Sequence, residues 1–168
     1  RLQGDWSSDV CSSDLIILSS NPEAGSASVQ AGGYYKGDGQ TQVVDLDKGF
    51  KIGNDGALHL SLGLRHKGYS NRSGESGGPQ SAKVQGDPKS DLATLGYNYT
   101  NPLNDRLTVY SFGSVATRKA SAYENPRQPG WFSDKVDALY PKGFTPIEGV
   151  NETDYSATVG LKGQALWD

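Results

Sequence analysis

Hydrophobic and polar residues alternate along most of this chain with a period of two. Across 57–66, Leu58, Leu60, Leu62 and Leu64 fall on one side and His59, Ser61, Gly63 and Arg65 on the other. Successive side chains of an extended strand point to opposite faces, so this pattern predicts a strand with one apolar and one polar side. The stretch 153–163 repeats it, with Tyr155, Ala157, Val159 and Leu161 opposite Asp154, Ser156, Thr158, Gly160 and Lys162. In 92–99, Ala93, Leu95, Tyr97 and Tyr99 oppose Thr94, Gly96 and Asn98. In 28–36, Val29, Ala31, Gly33 and Tyr35 oppose Gln30, Gly32, Tyr34 and Lys36. Lys48 interrupts the apolar side of 43–52, and 106–119 is apolar on both sides at Val109, Tyr110 and Phe112. Six strands are predicted. The longest helix-compatible window, near 132–139, is short and lacks repeated i, i+4 apolar spacing, so helix is a poor reading.

The connections add a second regularity. Asn54-Asp55-Gly56 reads as a tight turn with a glycine able to take positive φ, and Asn101-Pro-Leu-Asn-Asp105 as another short turn. The connections at 36–41, 69–91 and about 120–151 are longer and lengthen along the chain. Short turns at one end and elaborated loops at the other are the asymmetry of a transmembrane β-barrel. Strands of about ten residues also suit a tilted crossing of the hydrocarbon core. A soluble β-sandwich alternates in the same way and also gathers its loops at two ends. Two features favour the barrel. The polar sides mix Gly, Ser, Thr, Asn and charged residues, as a wet lumen would, and tyrosines recur near apolar-side ends at Tyr35, Tyr69, Tyr97, Tyr99 and Tyr155. The fold class expected is all-β, an up-and-down antiparallel sheet forming part of a larger barrel.

Composition changes the picture mainly through its first residues. Asp5-Trp-Ser-Ser-Asp-Val-Cys-Ser-Ser-Asp-Leu15 reads, in one frame, as the translation of a common short-read sequencing adapter, with Arg1–Gly4 consistent as its flank. Residues 1–15 are therefore taken as an artefact and excluded from fold reasoning, leaving 16–168 as the folding unit. The only cysteine, Cys11, goes with them, which removes disulfides, thiolate metal sites and cysteine nucleophiles from consideration. Setting aside Arg1, Asp5, Asp9 and Asp14 leaves 15 basic against 16 acidic residues. A nearly neutral chain offers no electrostatic attraction to nucleic acid. An adapter join also implies a fragment, with its natural N-terminus missing and its C-terminal end at Gln164-Ala-Leu-Trp-Asp168 inside a strand.

Candidate chemistry is sparse. His59 and His66 are seven apart on one strand and so lie on opposite faces, unable to share a metal. Asp45, Asp47 and Asp55 lack the ligand spacing of a calcium loop. Gly74-Glu-Ser-Gly-Gly78 has no following Lys-Ser/Thr or helix and is not a phosphate loop. No serine sits in a Gly-x-Ser-x-Gly elbow. The chain reads as a non-enzyme with no cofactor and no metal. Within the long loop, Arg127, Trp131, Phe132 and Tyr140, beside Asp134, are the side chains best suited to meet a ligand.

Several segments together resemble TonB-dependent outer-membrane receptors. They are Val29-Gln-Ala-Gly-Gly-Tyr-Tyr-Lys-Gly-Asp-Gly39, Gly53-Asn-Asp-Gly-Ala-Leu-His-Leu-Ser61, Asn71-Arg-Ser-Gly74, Arg106-Leu-Thr-Val-Tyr-Ser-Phe-Gly113 and Tyr140-Pro-Lys-Gly-Phe-Thr-Pro-Ile-Glu148. The likeness is distributed over about 24–168, and Tyr-Pro-x-Gly-Phe is its most distinctive piece. Residues 16–20 are read as the remnant joining a plug to the barrel. The resemblance implies a piece of a 22-stranded barrel in the outer membrane of a Gram-negative bacterium, importing a scarce nutrient such as a siderophore-bound metal. Its implied partners are outer-membrane lipid, a small nutrient ligand and, in the intact protein, the inner-membrane energy-coupling complex. A secreted or surface β-sandwich binding module is the alternative.

Overall fold

A computed structural model describes residues 19, 21–73 and 85–163. The expectations for 1–15, for most of 16–20, for the glycine-rich 74–78 and for 164–168 lie outside these residues. The elements are β1 (Gly25–Gly32), β2 (Thr41–Ile52), β3 (Gly56–Lys67), β4 (Lys89–Asn104), β5 (Leu107–Tyr123), α1 (Asp134–Leu139) and β6 (Ile147–Gly163). All six strands form one sheet in the order β1-β2-β3-β4-β5-β6, every neighbour antiparallel. Each strand pairs with the next along the chain, so there is no crossover and no second sheet among the described residues.

The register turns the period-two sequence into two continuous faces. One row runs Ala27–Leu46–Leu62–Leu95–Val115–Tyr155 across all six strands. The next runs Ser28–Asp45–Gly63–Thr94–Ala116–Asp154 on the opposite face. A one-residue slip in any strand would exchange its faces, and none occurs in the body of the sheet; the one irregularity lies between Pro102 and Asn104, beside a turn. Among the described residues nothing packs on the apolar face. Leu46, Leu64, Leu95, Val115, Tyr155 and Val159 are exposed, Tyr155 and Val159 by 86% and 75%, and among the described residues Ala57 is the only buried hydrophobic one. The described residues therefore form no hydrophobic core.

Glycines admit large rings from neighbouring strands. Tyr97 lies over Gly113, where an added Cβ would come within 2.9 Å of its ring, and Tyr110 lies in the same way over Gly160. An aromatic side chain that covers a cross-strand glycine replaces the packing which the glycine lacks. Tyr110 stacks on Phe112, centroids 6.4 Å apart. This places both rings on the polar face and resolves the mixed pattern of that segment: Val109 and Val115 face the apolar side.

Several boundaries differ from those expected. The first strand ends at Gly32 rather than at 36, because Tyr34 N–H donates to the Asp38 carbonyl and Gly37 N–H to the Tyr34 carbonyl, at 2.9 Å each. Gly37 and Gly39 hold positive φ there, so Tyr34 and Tyr35 belong to a loop. Between β2 and β3 the positive φ falls on Gly53 (62°), not on Gly56; Gly56 already pairs with Ile52. The β4–β5 turn is shorter than 101–105, since Asn104 pairs with Leu107 and its side chain accepts from Arg106 N–H. β4, β5 and β6 reach 16, 17 and 17 residues. Of the aromatics expected near the ends of the apolar face, Tyr99, opposite Leu58, lies toward the short-turn end, whereas Tyr97 is at the middle of β4. Tyr155 sits in the middle row with Leu62, and Tyr35 and Tyr69 are in loops.

Candidate functional site at the long-loop end

The pairs Gly32–Thr41, Lys67–Ser90 and Tyr123–Ile147 close three hairpins at the same end of the sheet. The long connections therefore converge there, and the short turns at 53–55 and 105–106 lie at the other end. Loops carried on a rigid sheet are the usual place for binding residues.

The first two loops are joined by ion pairs and hydrogen bonds. Arg72 grips the Asp38 carboxylate with two guanidinium nitrogens, at 2.6 and 3.1 Å, and Asn71 N–H donates to the same carboxylate at 2.8 Å. The guanidinium also lies over the Tyr34 ring, 4.7 Å from its centroid, a favourable cation–π position. Tyr34 Oη donates to Asp87 at 2.6 Å, and Lys67 Nζ approaches the same carboxylate at 3.0 Å. Ser70 Oγ accepts from Asp87 N–H. Arg72 and the Asn71 amide depress the Asp38 carboxyl to about 2. Tyr34, with Lys67 next, lowers Asp87, and the same bond to Asp87 raises the Tyr34 phenol. Two cations and two anions balance here, so the cluster fixes loop shape without presenting net charge. Tyr69 then packs at a tilt against Tyr123, centroids 4.9 Å apart, and its hydroxyl bonds to Ser121 Oγ, tying the second loop to β5.

The third loop folds around Phe144. Tyr140 packs on it at 4.7 Å and Phe132 at 5.9 Å. Arg127 and Phe144 form an isolated antiparallel bridge, with N–H···O distances of 2.7 and 3.0 Å. Gly143 makes the approach possible with φ 76°. Contrary to the expectation for 132–139, a single short helix, α1, forms there, starting after Ser133, and Asp137 within it accepts from Gly130 N–H at 2.9 Å, a contact outside the local apolar pattern.

Of the four ligand candidates, Phe132 and Tyr140 come together on Phe144, Arg127 joins them through its backbone, and Trp131 stands apart at 60% exposure. Phe144, the hub, was not among them, although Tyr140-Pro-Lys-Gly-Phe144 is the turn that delivers it. Asp38, Arg72, Tyr34 and Asp87 carried no signal, because their partners lie 34 or 53 residues away. His59 and His66 do face opposite sides: His59 pairs with Gly49 and Asn98, and His66 with Gln42 and Asp91. His66 Nδ1 contacts Asp91 at 2.5 Å. Asp45 lies 3.9 Å from Arg65 and Asp47 lies 3.5 Å from His59. Among the described residues no group of three or more His, Cys, Asp or Glu is arranged to hold a metal.

Compared with protein-family models, curated proteins and solved structures, the chain finds no match.

Proposed function

We propose that this chain is part of the barrel of a TonB-dependent outer-membrane receptor that imports a scarce nutrient, such as a siderophore-bound metal, into a Gram-negative bacterium. The observation that carries this reading is the two-faced sheet. One face is apolar over six strands and covered by none of the described residues, the other is polar, and short turns and long loops segregate to opposite ends. A lipid-facing barrel wall needs all three properties at once. In that setting the apolar face meets outer-membrane lipid and the polar face lines the lumen. The joined loops stand outside, where Trp131, Phe132, Tyr140 and Arg127 contact the nutrient. The outer edges of β1 and β6, which pair with nothing among the described residues, continue into further strands. Transport would draw on the inner-membrane energy-coupling complex. The chain performs no catalysis in this reading.

Sequencing the same locus upstream tests it. A plug-like segment before residue 16 agrees with the importer. A secretory signal placed directly before Ala24 points instead to a secreted binding module.

A further inference from the structure

Charge is distributed unevenly over the apolar face. Toward the short turns the face runs out at Ile52, Asn101, Val109 and Leu161, none of them ionisable. Toward the long loops it ends in the row Gln42–His66–Asp91–Lys119–Asn151. Lys89 stands one step further out, opposite Ser121. That makes it a diagonal neighbour of Lys119, at about 7–8 Å. Asp91 is the one carboxylate on this face of the six strands, and His66 Nδ1 already contacts it at 2.5 Å. Among the described residues neither lysine ammonium pairs with a carboxylate. Two cations are therefore left over at one end of an apolar wall.

Two shallow clefts meet at this row and share Asp91 and Lys119. One, of about 410 Å³, lies between Lys89, Ser121 and Asn151. The other, of about 420 Å³, continues from His66 over Val44, Leu64 and Ala93 in the apolar band. Just past them the rings of Tyr69 and Tyr123 pack together, and such rings settle at the headgroup level of a bilayer. A lysine at that level keeps its ammonium among the headgroups while its methylenes lie on apolar surface, and it attracts anionic lipid. Donors above and an apolar slope below fit a molecule with an anionic head and hydrocarbon tails.

We infer that, on a face that meets lipid as proposed above, Lys89 and Lys119 hold the phosphate of a phosphomonoester lipid, whose acyl chains lie over Val44, Leu64 and Ala93. Two ammonium groups match the roughly two negative charges of a phosphomonoester. The Asn151 amide stands beside them as a neutral donor, and His66 keeps the Asp91 carboxylate occupied. The short-turn end of the same face has no cation on its strands and selects no such lipid.

Quenching by brominated lipids, in the intact gene product in phosphatidylcholine bilayers, tests the lipid contact and the phosphate separately. A fluorophore on Thr117→Cys sits between Ala93 and Thr153, one row inside Lys119. The quencher is phosphatidic acid or phosphatidylcholine, each with brominated chains. Both should quench, with phosphatidic acid favoured about fivefold in effective affinity. Lys119→Gln should lower that preference to about twofold, and adding Lys89→Gln should abolish it. Lys48→Gln removes a cation from the middle of the same face, over Gly25, and should leave the preference unchanged. Equal quenching by the two lipids overturns the phosphate site while the lipid-facing wall stands; quenching by neither overturns both. A preference that survives the double variant, or falls as far with Lys48→Gln as with Lys119→Gln, also overturns the site. Should the double variant fail to insert, Asn151→Lys adds a third ammonium to the cleft: the preference should rise, and no rise overturns the site.

Discussion

Asp38 shows how much one half-buried side chain organises. Its carboxylate receives Arg72 twice and the Asn71 amide once, and these contacts depress its pKa from 3.8 to about 2. A depressed carboxyl contributes stability that is present above its ordinary value and is lost as pH falls through the depressed one. The junction between the first two long loops should therefore hold at pH 4 and open as pH falls from 3.8 toward about 2. The Asn71 amide resonance, followed by NMR, should report that transition. In Arg72→Gln the midpoint should move up toward 3.8, and a midpoint already at that value in the unmodified chain would contradict the ion pair. Gly39 belongs to the same junction. It holds φ 63° with the Tyr34 ring against its α-carbon. Gly39→Ala should cost about 1–2 kcal/mol in local stability, measured by exchange at Asn71, because the added methyl group must displace the ring that Arg72 covers.

Strand spacing on the two faces decides which glycines matter. At Gly113 an added methyl group meets the Ser156 carbonyl and the Tyr97 ring, whereas at Gly63 the nearest atom is Asp45 Oδ1 at 3.4 Å. Gly113→Ala should destabilise the sheet by about 1–3 kcal/mol. Gly63→Ser should stay within about 0.5 kcal/mol. Denaturant titrations of the two variants give the comparison, and equal costs would argue against the Tyr97–Gly113 packing. Strand identity was legible in the sequence because period two is a local property: 57–66 sits wholly inside β3 with its faces as expected. The added length of β4, β5 and β6 was not. Toward the long loops both faces turn polar, as at Lys89-Ser90-Asp91 and Arg118-Lys119, so alternation ends before the pairing does. Tyr34 and Tyr35 extended the alternation of the first strand past its end, and only the contact with Asp38 shows that the chain has turned. The loop site was half legible. Its aromatic residues stood out by type, but their convergence on Phe144 and the Asp38–Arg72 pair depend on contacts that no local pattern encodes.

At the scale of the whole molecule, one sheet whose apolar face is covered by none of the described residues is poorly suited to water. Exposed contiguous apolar surface and unpaired strand edges favour association. A bilayer removes the first problem and further strands the second. The same leucines in a soluble protein would require a second packed sheet, and the six strands here supply only one. Leu62 lies in the middle of the six-strand apolar row. Arginine in its place should cost about 2–4 kcal/mol if that row crosses the bilayer midplane, measured by denaturant titration of the lipid-folded intact protein. A spin label on a single cysteine replacing Leu62, in the intact gene product in membranes, is the most direct measurement. The label should be reached by oxygen dissolved in the bilayer and shielded from a water-soluble relaxation agent. A label immobile and inaccessible to both, in a protein that stays monomeric without detergent, would contradict it.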